Sequence, residues 1–109
     1  MMHWLTKGAL SAALAWASLS LPALADGNIA DGQAKSASCA ACHGATGKAS
    51  NALYPNLAGQ NEAYLALALH GYKNGGRTGG QAGVMQAFTA GLSDQDISDL
   101  SAFYASQKP

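Results

Sequence analysis

Cys39-Ala40-Ala41-Cys42-His43 is the stretch whose residue types and spacing point most directly to chemistry. Two thiols three positions apart can each add across one vinyl group of a porphyrin, leaving two thioether bonds. The adjacent imidazole then faces the iron. C-x-x-C-H reads as an attachment site for c-type haem in its own right. A redox dithiol of the thioredoxin kind needs a βαβ setting that the sequence lacks. A zinc site needs more ligands: Cys39, Cys42, His43 and His70 are the only Cys and His after residue 25, and the neighbours Cys42 and His43 do not easily point at one tetrahedral ion. A disulfide closing so small a ring would stabilise little.

An iron held by one His either takes a sixth ligand or keeps an open position for chemistry. Met85 is the only Met after residue 25 and follows a glycine-rich stretch that can bring the backbone close to a haem edge. A core Met filling a gap is the plain alternative. His70 is the rival ligand, but helical periodicity turns it away from the apolar face of its segment. The expected set is therefore Cys39 and Cys42 as thioether positions, with His43 and Met85 on the iron.

Three helices are expected to position these groups. The first runs from about Ile29 to Ser38, Ala-rich but interrupted by Gly32, which costs about 1 kcal/mol relative to Ala. The second runs from about Glu62 to Lys73, with Asn61 as its N-cap. Tyr64, Leu65, Ala68, Leu69 and Tyr72 share one of its faces, and Leu67 and His70 point away. The third opens at Ser93, with Asp96 three residues on as an approximate capping box, and carries Ile97, Leu100, Phe103 and Tyr104 on its apolar face. Between the first two lies an irregular stretch from about Gly44 to Gln60, too long for so small a domain unless it wraps something. A second loop, rich in glycine, runs from Asn74 to Gly83. No stretch alternates with period two, so the fold class is all-α.

The 109 residues allow one small domain. Six Lys and Arg balance six Asp and Glu, which argues against a nucleic-acid binder, since such proteins need a basic surplus. Residues 1–25 read as an address. The run from Ala9 to Ala25 has no charge, and Ala23-Leu24-Ala25 offers the small-x-small pattern of a signal-peptidase site. Cleavage after Ala25 and export to the periplasm are expected; an uncleaved anchor is the alternative, although the run falls short of the roughly 20 residues that span a bilayer. The remaining domain, 26–109, keeps Lys35, Lys48, Lys73, Arg77 and Lys108 against all six acids, so its formal charge is slightly negative and no membrane span is left. Its large apolar residues are few and its glycines many. Domains this small often need a staple, and a haem would supply the missing core.

Together these segments resemble the class I c-type cytochromes, especially short bacterial monohaem members and single halves of periplasmic dihaem ones. The likeness covers Gly32 to Gln107. It rests on Gly32 ahead of Cys-Ala-Ala-Cys-His-Gly, on Tyr54-Pro55-Asn56-Leu57-Ala58-Gly59-Gln60, on Tyr64-Leu65 followed by Leu69, Tyr72, Lys73 and Arg77, and on Met85 ahead of Leu92-Ser93-Asp94 and Leu100-x-x-Phe103-Tyr104. The resemblance implies a small fold of about three helices and long loops wrapped around one covalent haem c. It implies that Cys39 and Cys42 hold the haem, that His43 and Met85 ligate iron, and that the Pro55 carbonyl accepts a hydrogen bond from the proximal imidazole. It also implies that Gly32 is a helix-crossing glycine packed on Leu100 and Phe103. One departure is that the segment from Gly75 to Gly83 has five glycines and no proline.

The implied function is one-electron carriage between redox protein partners by a monomer with no substrate of its own. Two alternatives are a membrane-tethered subunit of a larger redox complex, and a haem enzyme or gas sensor in which Met85 dissociates. The purified protein is expected to carry one haem that survives denaturation and acid–organic extraction, with an intact mass equal to residues 26–109 plus one haem. Haem released by extraction would exclude the thioether assignment.

Overall fold

The computed structural model describes Gly8 and residues 26–109; the expected leader and its cleavage point lie outside the described residues, Gly8 apart. The described residues form five α-helices and no strand: α1 Ile29–Lys35, α2 Ala37–His43, α3 Glu62–Lys73, α4 Ala82–Thr89 and α5 Asp94–Ser106. The all-α expectation holds, with two differences in the number and bounds of the helices.

The first difference is at Ser36, where the expected single helix breaks into α1 and α2. The Ser36 hydroxyl donates to the Gln33 carbonyl at 2.8 Å and the Ser36 N–H reaches the same oxygen at 3.2 Å. A short polar side chain here competes with the helical ladder and tightens the turn. The chain then restarts as α2 and continues to His43, so both cysteines and the histidine lie on one short helix. The second difference is α4, a helix where a continuous glycine-rich loop to Gly83 was expected. Gly83 and the β-branched Val84 mask it in the sequence. Ala82, Met85, Gln86 and Ala87 favour the helix, and α4 gains packing against α3.

The starts of the other helices follow their capping chemistry. Asn28 accepts from the Asp31 N–H at 2.9 Å and Asn61 from the Tyr64 N–H at 3.1 Å. At Ser93 the box closes both ways: the Ser93 hydroxyl accepts from the Asp96 N–H at 3.0 Å, and the Asp96 carboxylate accepts from the Ser93 N–H at 2.9 Å.

α5 is the spine. Ile97, Leu100, Phe103 and Tyr104 are almost wholly buried, and each such side chain contributes about 1.5–3 kcal/mol relative to exposure. α1 packs along one side of α5, and α3 packs on both α5 and α4. Leu65 and Ala68 of α3 turn inward while Leu67 is 71% exposed, as the periodicity predicts. Leu57, Leu69, Leu92 and Cys39 close around Leu65, Leu100, Phe103 and Tyr104.

The approach of α1 to α5 is set by absent side chains. A Cβ on Gly32 would stand 2.0 Å from the Asp99 carbonyl oxygen and 2.7 Å from the Phe103 Cβ. Gly27, just before α1, is equally pressed, its Cβ falling 2.0 Å from the Ser98 carbonyl oxygen and 2.7 Å from the Ala102 Cβ. The expected crossing at Gly32 is therefore present, with Phe103 as anticipated. The nearest atoms otherwise belong to Asp99 backbone rather than to Leu100.

Asp99 locks the same crossing. Its carboxylate is about 1% exposed and accepts from the Asn28 N–H at 2.8 Å, the Lys35 ammonium at 2.6 Å and the Gln95 amide at 2.8 Å. Lys35 also reaches Asp96 at 2.9 Å. The Asn28 N–H, then the Lys35 ammonium, hold the Asp99 carboxyl down to about 2.

Two outcomes follow for stability. Gly32→Ala is expected to cost the holoprotein about 1–3 kcal/mol, since backbone must move to admit the methyl group; a thermal melt reads this as a fall of roughly 4–8 °C per kcal/mol in a domain of this size. Asp99 binds its proton less readily folded than unfolded. Its contribution is therefore complete above the ordinary carboxylate value of 3.8 and is lost as pH falls towards about 2. Asp99→Asn is expected to lower Tm at neutral pH and to lose less further stability than the parent over that acid window.

Candidate functional site

The cysteine helix α2, the long loop and the helices α3, α4 and α5 meet around one cavity of about 390 Å³. All five residues singled out in the sequence line it: Cys39, Cys42, His43, Pro55 and Met85. His70 does not. It sits on the other side of α3, with Nδ1 3.9 Å from Asp94, as its place on the helical wheel predicts.

α2 presents the thiols and the imidazole together. Cys39 and Cys42 are free and half-buried, one helical turn apart. His43 is 6% exposed and closes the helix before Gly44, whose φ of 80° turns the chain away. His43 Nδ1 lies 2.8 Å from the Pro55 carbonyl oxygen. A carbonyl only accepts, so Nδ1 carries the proton and Nε2 of the neutral ring keeps its lone pair. The Tyr54 ring stands edge-on to the imidazole, with centroids 6.5 Å apart.

The position of Pro55 is set by the loop rather than by a regular element. The Gly47 carbonyl accepts from the N–H groups of Leu57 at 2.7 Å and Ala58 at 3.1 Å, and Asn56 accepts from the Ala49 N–H at 2.7 Å. Gly47 has φ 86° and no room for a Cβ beside Ala58 and Tyr104. The Gly59 N–H donates to the Tyr104 carbonyl at 2.9 Å, tying the loop to α5. A stretch without secondary structure is thus held at both ends of the Pro55 segment.

Met85 projects from α4. Thr89, about 1% exposed, donates from its hydroxyl to the Met85 carbonyl at 2.9 Å. The Lys73 ammonium reaches the Leu92 carbonyl and ties the end of α3 to the link between α4 and α5. Met85 is therefore carried by a helix braced at its C-terminus, not by a free glycine-rich loop.

The donor set suits a haem. Two thiols and an imidazole with a free Nε2 lie on one helix, and a thioether comes from a second. These are the ligand types that c-type haem iron takes. The rest of the lining is mostly apolar. Leu53, Val84 and Phe88 are 77%, 48% and 53% exposed, yet all three line this cavity. Their side chains face a shared space rather than each other, as walls of a flat apolar group would. The volume lies within the roughly 300–1,000 Å³ of ligand pockets. Among the described residues no cluster of three or more His, Cys, Asp and Glu could hold a bare metal ion.

Four lining residues were given no role at the site by the sequence reading, although Tyr54, Arg77 and Tyr104 belong to segments it named. Tyr104 and Ser101 bring buried hydroxyls to the cavity without a hydrogen-bond partner. Burial, and then the neighbouring Cys39 thiol, push the Tyr104 hydroxyl well above the ordinary phenol value. Tyr54 flanks the imidazole. Arg77 lines the cavity from the loop after α3. The signal that could have found Arg77 is Gly71, a glycine inside α3 whose Cβ would strike the Arg77 side chain at 2.8 Å.

Known proteins bear on the site at this point. Residues 29–108 match the cytochrome c family. Cytochrome c-554(548) of Halomonas halodenitrificans is 44% identical over 82 residues, covering 75% of this chain and 99% of that protein. Cytochrome c4 of Pseudomonas aeruginosa is 48% identical over 84 residues, 77% of this chain but only 40% of that protein. The crystal structure of reduced recombinant cytochrome c4 from Pseudomonas stutzeri superposes with a TM-score of 0.66 and 40% identity, covering 75% of this chain and 46% of that one. The chain thus spans nearly all of the first relative and under half of the cytochromes c4. With the match running through all five helices, the chain belongs to the cytochrome c family and has the class I fold.

Proposed function

We propose that the protein is a periplasmic, monohaem, one-electron carrier, exported by residues 1–25 and working as the 26–109 domain. Membership of the family makes it an electron carrier with covalently bound haem c. The observation that carries the finer reading is the convergence on one cavity of two thiols, a tautomer-fixed imidazole and one thioether. Cys39 and Cys42 would form the thioethers, and His43 Nε2 and the Met85 sulfur would hold the iron. The haem supplies the reversible ferric–ferrous couple.

Each protein group has a separate task. The Pro55 carbonyl holds the proton on His43 Nδ1, which fixes the ring plane and strengthens Nε2 as a donor. α4, which carries Met85 and the buried Thr89, would offer the Met85 sulfur to the iron and so keep water and substrate from it. Leucines and Tyr104 exclude water from the rest of the cavity, and low polarity with a thioether ligand favours the ferrous state. The protein thus binds, orients and shields the group that changes oxidation state. Support for export comes from the uncharged Ala9–Ala25 segment and its Ala23-Leu24-Ala25 end. No helix among the described residues is long and apolar enough to cross a membrane. Donor and acceptor are redox proteins. The domain has five dispersed cations and a slightly negative charge. Docking therefore rests on small apolar residues of the Ala40-Ala41 segment and on the exposed Val84 at the cavity, and encounters of this kind bury modest area.

The sixth ligand is the decisive test. Met85→Ala is expected to leave folding and covalent haem in place. The reduced variant should bind carbon monoxide readily where the parent does not. Met85→His should lower the potential by at least a few times the ~59 mV that corresponds to tenfold in a one-electron equilibrium, because imidazole favours ferric iron more than a thioether does. A Met85→Ala protein that stays resistant to carbon monoxide at unchanged potential would reduce Met85 to a core residue.

A further inference from the structure

The hydrogen bond from His43 Nδ1 to the Pro55 carbonyl joins a helix end to a loop, a setting in which water competes for both groups. His43 is nonetheless only 6% exposed, and part of its cover is the ring of Tyr54. That ring stands edge-on to the imidazole, with centroids 6.5 Å apart and planes at 62°, inside the roughly 4.5–7 Å range of aromatic pairs. Tyr54 is half-buried and lines the cavity. It therefore stands as a layer between the imidazole and solvent.

The loop is built to put the ring there. Tyr54 directly precedes Pro55, and a residue before proline is largely confined to extended backbone. The ring and the accepting carbonyl are thus set by neighbouring units of one stiff segment. Asn51 closes the turn that leads in: its side chain accepts from the Leu53 N–H at 2.9 Å, and its carbonyl accepts from the Tyr54 N–H at 3.1 Å. Beyond Pro55, Asn56 accepts from the Ala49 N–H at 2.7 Å, so the segment is tied on both sides. Leu53 lines the cavity but is 77% exposed. The side chain of this turn that packs against the imidazole is therefore Tyr54. A hydrogen bond kept dry is electrostatically stronger than a wet one. The apolar shell around a metal ligand also controls solvent access, and through it the reduction potential.

We infer that Tyr54 is a positioning residue of the proximal side, whose ring keeps water from the His43–Pro55 hydrogen bond and so holds the imidazole plane and the reduction potential. The inference rests on the reading of this cavity as the haem site. Water admitted beside the imidazole would accept from Nδ1 in place of the Pro55 carbonyl. It would also solvate the more highly charged ferric state and lower the potential. The ring does this work, since it is the ring that meets His43, and the phenol hydroxyl is dispensable.

The test uses the intact holoprotein with Tyr54→Phe, Tyr54→Val and Tyr54→Ser beside the parent. Two quantities are read: exchange of the His43 Nδ1 proton with solvent deuterium, by NMR of the reduced protein, and the reduction potential at neutral pH. Tyr54→Ser should exchange that proton about tenfold faster than the parent, since protection falls where water gains access. It should also move the redox equilibrium towards the ferric form at least threefold, about 28 mV on the scale of ~59 mV per tenfold. Tyr54→Phe, which keeps the ring, should match the parent in both readings. Tyr54→Val, apolar but too short to reach the imidazole, should fall between Phe and Ser. Unchanged exchange and potential in Tyr54→Ser overturn the inference, even if Tm falls, because a purely structural side chain would lower stability alone. A Tyr54→Phe protein that behaves like Tyr54→Ser also overturns it, because the hydroxyl would then be the active group. Should Tyr54→Ser fail to take up haem, Tyr54→Val decides: faster exchange with a lowered potential supports the inference, and parent-like values overturn it. A parent protein without covalent haem would overturn the underlying reading of the cavity. A loaded parent whose variants keep its exchange rate and potential overturns this inference alone.

Discussion

One hydrogen bond, from His43 Nδ1 to the Pro55 carbonyl at 2.8 Å, fixes the imidazole of the cysteine helix against the long loop. His43 ends a seven-residue helix, and Pro55 lies in a loop without secondary structure. The bond has a chemical direction, since only the imidazole can donate. It therefore selects one tautomer and leaves Nε2 free on the cavity side. Much of the surrounding detail preserves it. The double acceptance at the Gly47 carbonyl, the Asn56 side-chain bond and the tie from Gly59 to Tyr104 all keep the Pro55 carbonyl where the ring needs it.

Around that bond the protein is thinly built. The large side chains that close the core are essentially Leu65, Ile97, Leu100, Phe103 and Tyr104, backed by partly buried leucines. Such a core needs close helix contact to hold, and Gly27 and Gly32 supply it by letting α1 lie directly on α5 backbone. Asp99 then satisfies the Asn28 N–H and the Lys35 ammonium at the same crossing. Leu53, Val84 and Phe88 are left facing the cavity, so much of the remaining apolar surface is arranged around a group the chain does not itself provide.

The parts legible in the sequence were those with short-range signals. Cys39, Cys42 and His43 are contiguous, Ser93 with Asp96 is a local box, and the inward face of α3 follows from 3.6-residue periodicity. The unexplained Gly32 pointed to a helix crossing, and a crossing is there. What was not legible depends on distant partners. The Ser36 break needs the side chain to choose Gln33 over the ladder. α4 is stabilised by packing on α3, and a window holding Gly83 and Val84 does not disclose that. Asp99 looks like any helical acid until Asn28 and Lys35 arrive from the other end of the chain. Gly71 carried a signal of the same kind as Gly32, but its meaning lies in Arg77, six residues on and across a turn.

The unanticipated helix changes the physical picture of the distal side. A methionine on a loop with five glycines would be free to leave its position, and a mobile sixth ligand suits a protein that binds small molecules at iron. Here Met85 stands on α4, whose end is braced by the buried Thr89 hydroxyl and whose exit at Leu92 is held by Lys73. The glycines with positive φ, Gly75, Gly79 and Gly80, fall before the helix begins. They turn the chain and then hand over to regular structure. An electron carrier works fastest when little has to move between its two oxidation states. A proposed ligand carried on a helix, together with an imidazole fixed by a pinned carbonyl, meets that requirement, and this favours the carrier over the sensor.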